Sequence, residues 1–199
     1  MQDPRRYEAG LGTGGSGDIL REVGTAAQGT GIEVIIAVGP AFGAQIRRTL
    51  AGLDHRAVLE AMIRGAAEEG IPARIVRIHH TSDCAFIGHA GAQLSGSGVA
   101  IGIQSKGTAV IHQRDLPPLE NLELFSMSPN MTLDTYHDVG RNAARYAAQR
   151  PTSPVPVKID NTARLRLIVQ TMLMHLRETR EVQPGKLPTE LELASQKKQ

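Results

Sequence analysis

The stretch Glu33-Val34-Ile35-Ile36-Ala37-Val38-Gly39-Pro40 decides the architecture. Five apolar residues in a row, mostly β-branched, stop at a Gly-Pro pair, the pattern of a short strand buried on both faces. Further along the chain, Val58, Leu59, Met62, Ile63 and Ala66 recur at helical spacing. They predict a helix over Arg56–Glu69, closed by Gly70 at its C′ position. Ala73–Ile78 alternates as a strand, with Ile75 and Val76 inside. Thr81-Ser82-Asp83 offers N-caps for a helix over Cys84–Leu94, which Ser95-Gly96-Ser97-Gly98 ends. Val99–Gln104 is a strand, Ser105-Lys106-Gly107 a turn, and Thr108–Gln113 another strand. This alternation of strand and helix is the order of a parallel α/β sheet, with right-handed crossovers stacking helices on its faces. The expected fold class is α/β, a parallel sheet with flanking helices plus a C-terminal helical extension.

Composition divides the 199 residues into four parts. Residues 1–32 read as a flexible segment, because Gly10, Gly12, Gly14, Gly15 and Gly17 crowd one short stretch. No strand precedes these glycines, so they do not form a dinucleotide-binding loop. Residues 33–150 carry the sheet domain. Ala41–Leu53 shows no pattern beyond room for a short helix around Gln45–Leu50. Leu122–Phe125 is a last short strand, and Leu133–Arg150 a helix with Leu133, Tyr136, Val139, Gly140 and Ala143 on one side. Residues 151–181 hold a Pro-rich connector and a final helix, Asn161–Arg180. That helix carries Leu165, Ile168, Val169, Met172 and Leu176, but also Leu167, Leu173 and Met174. Apolar on more than one face, it fits either a subunit interface or a central core helix. Residues 182–199 read as a frayed polar tail.

Apolar residues make up 41% and charged residues 21%, a globular balance that excludes a wholly disordered chain. No apolar run is long enough to cross a bilayer, and the first residues lack the apolar core of a signal peptide. The expected location is cytoplasmic. The formal net charge of +2 and 3% aromatics do not suit a nucleic-acid binder. Cys84 is the only cysteine, which excludes an intrachain disulfide and a cysteine-rich zinc site. In a helix it is a small core residue more often than a nucleophile. The seven histidines show no His-x-x-x-His pair, so no metal site is expected from this chain, nor catalytic residues of its own. Any reacting groups would come from another chain.

In an open parallel sheet, ligands bind beyond the carboxyl ends of the strands. The loops leaving that edge are Gly39–Gly43, His79–Asp83 and Gln104–Gly107. Asp83 is most simply an N-cap, and Lys106 most simply a solvated turn residue. The functional alternative joins them. Gly107 permits close backbone approach, Lys106 supplies a positive charge, and the pair suits one phosphate with amide or hydroxyl groups nearby.

The stretch Arg77–Arg114, and above all Leu94-Ser-Gly-Ser-Gly-Val-Ala-Ile-Gly-Ile-Gln-Ser-Lys-Gly-Thr-Ala-Val-Ile-His-Gln113, resembles the medium (β) subunit of adenosylcobalamin-dependent diol and glycerol dehydratases. The similarity includes Glu33–Gly43, Asn121–Phe125, Thr132–Tyr136, Gly140–Tyr146 and His175–Thr179, and spans about residues 19–181. It implies a dimer of heterotrimers, in which a large TIM-barrel subunit holds the substrate and the radical chemistry, alongside a small subunit. The medium subunit, with a Rossmann-like core over residues 33–150, would grip the lower face and nucleotide tail of base-on adenosylcobalamin. Carried over by position, Lys106 matches a lysine on the nucleotide phosphate and Asp83 an acidic residue near the corrin amides. Arg164 matches an arginine on the same side, and the Leu124-Phe125-Ser126 segment a loop lining the benzimidazole. Ser126 stands where the family commonly has Pro, and Thr171 where some members have Ser. His137-Asp-Val-Gly140 approaches the base-off cobalamin motif Asp-x-His-x-x-Gly, but Thr135 occupies the Asp position and the histidine falls in a predicted helix.

The resemblance also implies exchange with a reactivating factor, and in some relatives a bacterial microcompartment, although residues 1–32 show no amphipathic targeting helix. Two other readings compete. One is the small subunit of a dehydratase-reactivating factor, which has a related fold; the intact Gln104-Ser-Lys-Gly107 turn and the long C-terminal part favour the dehydratase over it. The other is a stand-alone α/β protein binding a phosphorylated metabolite.

Overall fold

The computed structural model describes residues 19–195. The glycine-rich stretch Gly10–Gly17, read above as linker, lies outside the described residues. The strands are β1 Leu20–Thr25, β2 Val34–Val38, β3 Ala73–Arg77, β4 Val99–Ile103, β5 Ala109–Gln113, β6 Glu123–Phe125 and β7 Thr189–Leu193. The helices are α1 His55–Glu68, α2 Cys84–Leu94, α3 Leu133–Ala147, α4 Asn161–Arg166 and α5 Ile168–Arg180. One seven-stranded sheet takes the order β1-β7-β3-β2-β4-β5-β6.

The centre of the sheet is the expected parallel unit, with β3 and β4 flanking β2. All five residues of β2 are fully buried. Val34, Ile36 and Val38 face a core shared with Val58, Met62 and Val139 of α1 and α3. Ile35 and Ala37 point the other way, to Ile87 and Ala92 of α2. That alternation is the two-residue period of a strand with helices on both sides. Local signals set the helix ends. The Asp54 carboxylate accepts from the Arg56 N–H at the start of α1, and Gly70 takes a left-handed φ of +74° after its end. Helices α1 and α3 cross so closely that a Cβ on Gly140 would lie 2.1 Å from the Met62 carbonyl oxygen.

Beyond β4 the sheet turns antiparallel, through β5 and then β6. Ser105-Lys106-Gly107 is a hairpin turn, too short for the crossover that a parallel neighbour requires. The fold is therefore α/β with a mixed sheet around a Rossmann-like parallel centre.

Four expectations change. Leu20–Thr25, placed above in the flexible N-terminal segment, is an edge strand, and Thr189–Leu193, placed in the frayed tail, is a strand of the sheet. β7 runs antiparallel to both β1 and β3 and fills the place between them. Its alternation buries Thr189 and Leu191 and turns Glu190 and Glu192 outward, toward Arg74 and Arg21. The region Ala41–Leu53 forms no helix; it is a loop held by isolated bridges between Phe42 and Ile46 and between Arg48 and Asp54. The predicted final helix is two helices, broken at Leu167, whose φ of −104° and ψ of 12° leave the helical region.

Candidate functional site

The turn after β4, at the carboxyl edge of the parallel strands, is tied down on every residue. The Ser105 N–H donates to both carboxylate oxygens of Glu178, at 3.1 Å each, and the Ser105 hydroxyl donates to Oε1 at 2.8 Å. The Ser105 carbonyl accepts from His55 Nε2 at 2.8 Å. The Lys106 carbonyl accepts from the Leu50 N–H, the Gly107 N–H donates to the Gln104 carbonyl, and the Gly107 carbonyl accepts from the Tyr136 hydroxyl at 2.6 Å. Gly107 has a φ of +99°, and a Cβ there would meet the Tyr136 hydroxyl at 2.5 Å, so the position requires glycine. Only the Lys106 side chain is left to project. It is half-buried and makes no ion pair among the described residues.

The groups that hold this turn are matched in protonation. The Gly43 N–H donates to His55 Nδ1, which leaves the proton on Nε2 to reach Ser105. Burial lowers the His55 pKa to about 4, so the ring stays neutral in that tautomer. Burial also pushes up the hydroxyl of Tyr136 and the thiol of Cys84, whose S–H donates to the Gly102 and Thr108 carbonyls. Cys84 is a core residue with an inert thiol.

Glu178 behaves differently. It is 1% exposed, and burial raises its pKa from 4.5 to about 7 against the pull of the Ser105 donors, Lys106 and Arg77. A carboxyl whose folded pKa is raised stabilises the fold while protonated, and that contribution is lost as pH rises through the folded value. The unfolding free energy of the wild type relative to Glu178→Gln, from urea titrations, is expected to fall by about 3 kcal/mol between pH 4.5 and 8. A flat difference would show that the carboxyl is not held in a buried state. The subtraction cancels the opposite, acid-side contributions of His55 and His79.

The other sequence-predicted residues fall into two groups. Asp83 stands close to the turn. Its Oδ1 accepts from the Ala85 and Phe86 N–H groups as the N-cap of α2, while its other oxygen has no partner among the described residues. Phe86 beside it is 41% exposed. The loop before Asp83 is tied to the turn, because Gln104 Nε2 donates to the Ser82 carbonyl at 2.5 Å.

Phe125 and Ser126 lie at the antiparallel end of the sheet. They line a mainly apolar cavity of about 310 Å³ with Leu124, Pro154, Val157 and Ile159. Glu123 builds its wall, accepting from Asn142 Nδ2 on α3 and from the Val155 N–H of the connector. Arg164 is exposed on α4, which packs against the 3₁₀ turn Ser128–Asn130 that follows this loop. Thr171 is on α5, and its hydroxyl donates to the Leu167 carbonyl at 2.8 Å. The structure thus ties the loop of Asp83 to the turn of Lys106 and sets Phe125 and Ser126 on one cavity, with the helix of Arg164 against the 3₁₀ turn that follows them. His137, in the near-miss motif, sits within α3 and pairs with Glu68 at 2.9 Å.

Helix α5 links these regions and is two-faced. Met174 and Glu178 are buried against the domain. On the opposite side Ile168, Val169, Met172 and Leu176 are 50–61% exposed, and Leu165 of α4 extends the stripe. Of the two readings of the final helix, a central core helix is therefore excluded. A cavity of about 580 Å³ lies on the β1–β7–β3 side, lined by Arg77 and His79. None of the predicted residues borders it. Its Arg77 Nη1 is taken up by the carbonyls of Gly39, Pro40 and Phe42, and His79 by the Thr189 hydroxyl. Among the described residues, no helix is long and apolar enough to cross a membrane.

Sequence reasoning singled out Lys106 but missed the residues that hold its turn, Glu178, His55 and Tyr136. Glu178 had one available signal, its place four residues after Met174 on one helical face.

Residues 39–153 match the family described as dehydratase medium subunit, over more than half of the chain. The chain belongs to this family. A medium subunit is one part of a multi-subunit dehydratase, a lyase. Among solved structures, the chain is similar to a glycerol dehydratase reactivase, with 21% identity, 62% of this chain and 96% of that chain covered, and a TM-score of 0.49. It is also similar to a diol dehydratase-reactivating factor solved with ADP and Mg2+, with 20% identity, 64% and 98% covered, and a TM-score of 0.46.

Proposed function

We propose that this medium subunit serves an adenosylcobalamin-dependent dehydratase of 1,2-diols, holding the lower face and nucleotide tail of the cofactor against a catalytic large subunit. The observation that carries the reading is the turn after β4. Its carbonyls are all held by the domain, its glycine is required by geometry, and it leaves one lysine side chain with no ion pair among the described residues, on a turn tied to the loop that ends at the N-cap Asp83.

The donor set suits the tail of such a cofactor. Lys106 supplies a point charge for a phosphodiester, and the free oxygen of Asp83 accepts from a corrin amide. The apolar cavity at Phe125 and Ser126 suits the benzimidazole, with Arg164 and Thr171 on the neighbouring helices. The chemistry that adenosylcobalamin supplies when bound is homolysis of a cobalt–carbon bond, which starts the radical rearrangement of a diol to an aldehyde with loss of water. This chain's residues do not touch the reacting atoms in that scheme. They bind and orient, so that binding energy from the tail is available at the reactive face. A turn with no freedom to reorganise wastes little of that energy on ordering.

The exposed stripe on α4 and α5 suits the companion subunit. Contiguous apolar side chains of this size on a helix face mark interaction surfaces.

The test is co-expression with the large and small subunits, followed by a visible absorption spectrum for bound corrinoid and an aldehyde assay with propane-1,2-diol and glycerol. Lys106→Ala is expected to weaken corrinoid binding by about 1–3 kcal/mol, with turnover at saturating cofactor little changed. An unaltered Kd in the assembled variant would remove Lys106 from the site.

A further inference from the structure

The ties on the Lys106 turn differ in origin. His55 comes from α1, Tyr136 from α3 and the Leu50 N–H from the loop between β2 and α1, all parts of the domain core. Glu178 alone, among the described residues, reaches the turn from α5. One residue later Thr179 hydrogen-bonds Ser82 at 2.9 Å, in the loop that ends at Asp83. Two adjacent residues of α5 therefore hold the two loops that carry Lys106 and Asp83. The same helix presents its exposed apolar stripe on the opposite side.

The fit around Glu178 is close. A Cβ on Gly39 would lie 2.1 Å from its Oε1, so the loop after β2 leaves room for the carboxylate only because residue 39 is glycine. The charged and titratable groups facing it are Arg77 from β3, Lys106 from the turn and the neutral thiol of Cys84 from α2. Glutamate is an expensive residue here, because a leucine or methionine in the same place would bury no charge. Buried carboxyls of this kind concentrate where they position something.

We propose that Glu178 is the positioning residue of the Lys106 turn, so that seating α5 on a partner subunit and aiming Lys106 at an anionic ligand are one structural event. The inference rests on the cofactor reading above and goes beyond it, because it assigns a role to a residue that touches no ligand.

The test compares four assembled complexes, carrying wild type, Glu178→Gln, Lys106→Ala and the double variant, by absorbance titration with adenosylcobalamin. Glutamine keeps the shape of the side chain but sets an NH2 group or a neutral oxygen against the Ser105 donors. Glu178→Gln is expected to raise Kd about ten-fold when Lys106 is present, and less than about two-fold when Lys106 is already alanine. Equal losses in both backgrounds would show a general structural role, and no loss in either would show that the turn does not need Glu178; each overturns the proposal. If the wild-type complex takes up no corrinoid, the cofactor reading fails, and the inference is then decided on the full-length chain by NMR. The Ser105 amide resonance should titrate with a midpoint near pH 7 in the wild type and stay flat in Glu178→Gln. A Ser105 amide that ignores pH in the wild type overturns the contact itself.

Discussion

A chain shortened to end at Lys186 is expected to lose its cooperative fold. The deletion removes β7, which pairs with β3 on one side and β1 on the other. β1 has no other neighbour in the sheet. Leu191, 3% exposed, leaves the main core, and Thr189 leaves His79 without its hydroxyl partner. Arg74 loses Glu190 at 2.9 Å, and Arg56 loses the Ala194 carbonyl at 2.5 Å. Burial of one leucine is worth about 1.5–3 kcal/mol, and each hydrogen bond about 1 kcal/mol net. The sum exceeds about 5 kcal/mol, within the range of a whole domain's stability. The deletion also bares the edge of β3, with its apolar Ile75 and Val76, as a template for aggregation. Leu191→Ala in the full-length chain isolates the packing share and is expected to cost about 2–4 kcal/mol. Urea unfolding of the point variant and the soluble yield of the shortened chain measure the two effects. A shortened chain that melts cooperatively near the wild-type temperature would show that β7 is only an accessory strand.

The strands that this experiment addresses are those that sequence reasoning did not find, and the reason is physical. β2, α1 and α2 were legible because their signals are local: an unbroken apolar run, a helical period, an Asp before it and a Gly after it. β1 and β7 depend on each other across the chain, with Leu20 opposite Leu193. Each is short and carries two charged residues. Thr189-Glu-Leu-Glu-Leu193 does alternate, but its acidic residues resemble a solvated tail until Arg74 and Arg21 are placed beside them. The antiparallel turn of the sheet after β4 was likewise legible only as a short connection. At the candidate site, Lys106 could be picked out because a lysine next to glycine after a strand has a stated chemistry. Glu178 shares a helical face with Met174, but that signal is weak against the default that a charged residue on a helix is exposed. Only its contact with the Ser105 N–H and hydroxyl reverses that expectation.

The companion result concerns the opposite face of α5. Replacing Met172 and Leu176 together by glutamate is expected to leave the isolated chain folded and to abolish its assembly with the large and small subunits proposed above. Both side chains are more than half exposed and do not belong to the core, so neither substitution creates a cavity. The change in unfolding free energy should stay within about 1 kcal/mol. At an interface the same positions would be desolvated, and an uncompensated buried carboxylate costs several kcal/mol, on the order of 3–5 for an unpaired charge. Two of them exceed what the rest of a typical contact surface can offset, since a few central residues carry most of its energy. Size-exclusion chromatography of the co-expressed subunits reads the assembly, and a thermal melt of the isolated variant confirms that it is folded. Full assembly by a folded double variant would mean that the stripe faces something other than the companion subunits. The Lys106 and Asp83 loops would then have to be organised without them, because the same helix holds those loops through Glu178 and Thr179.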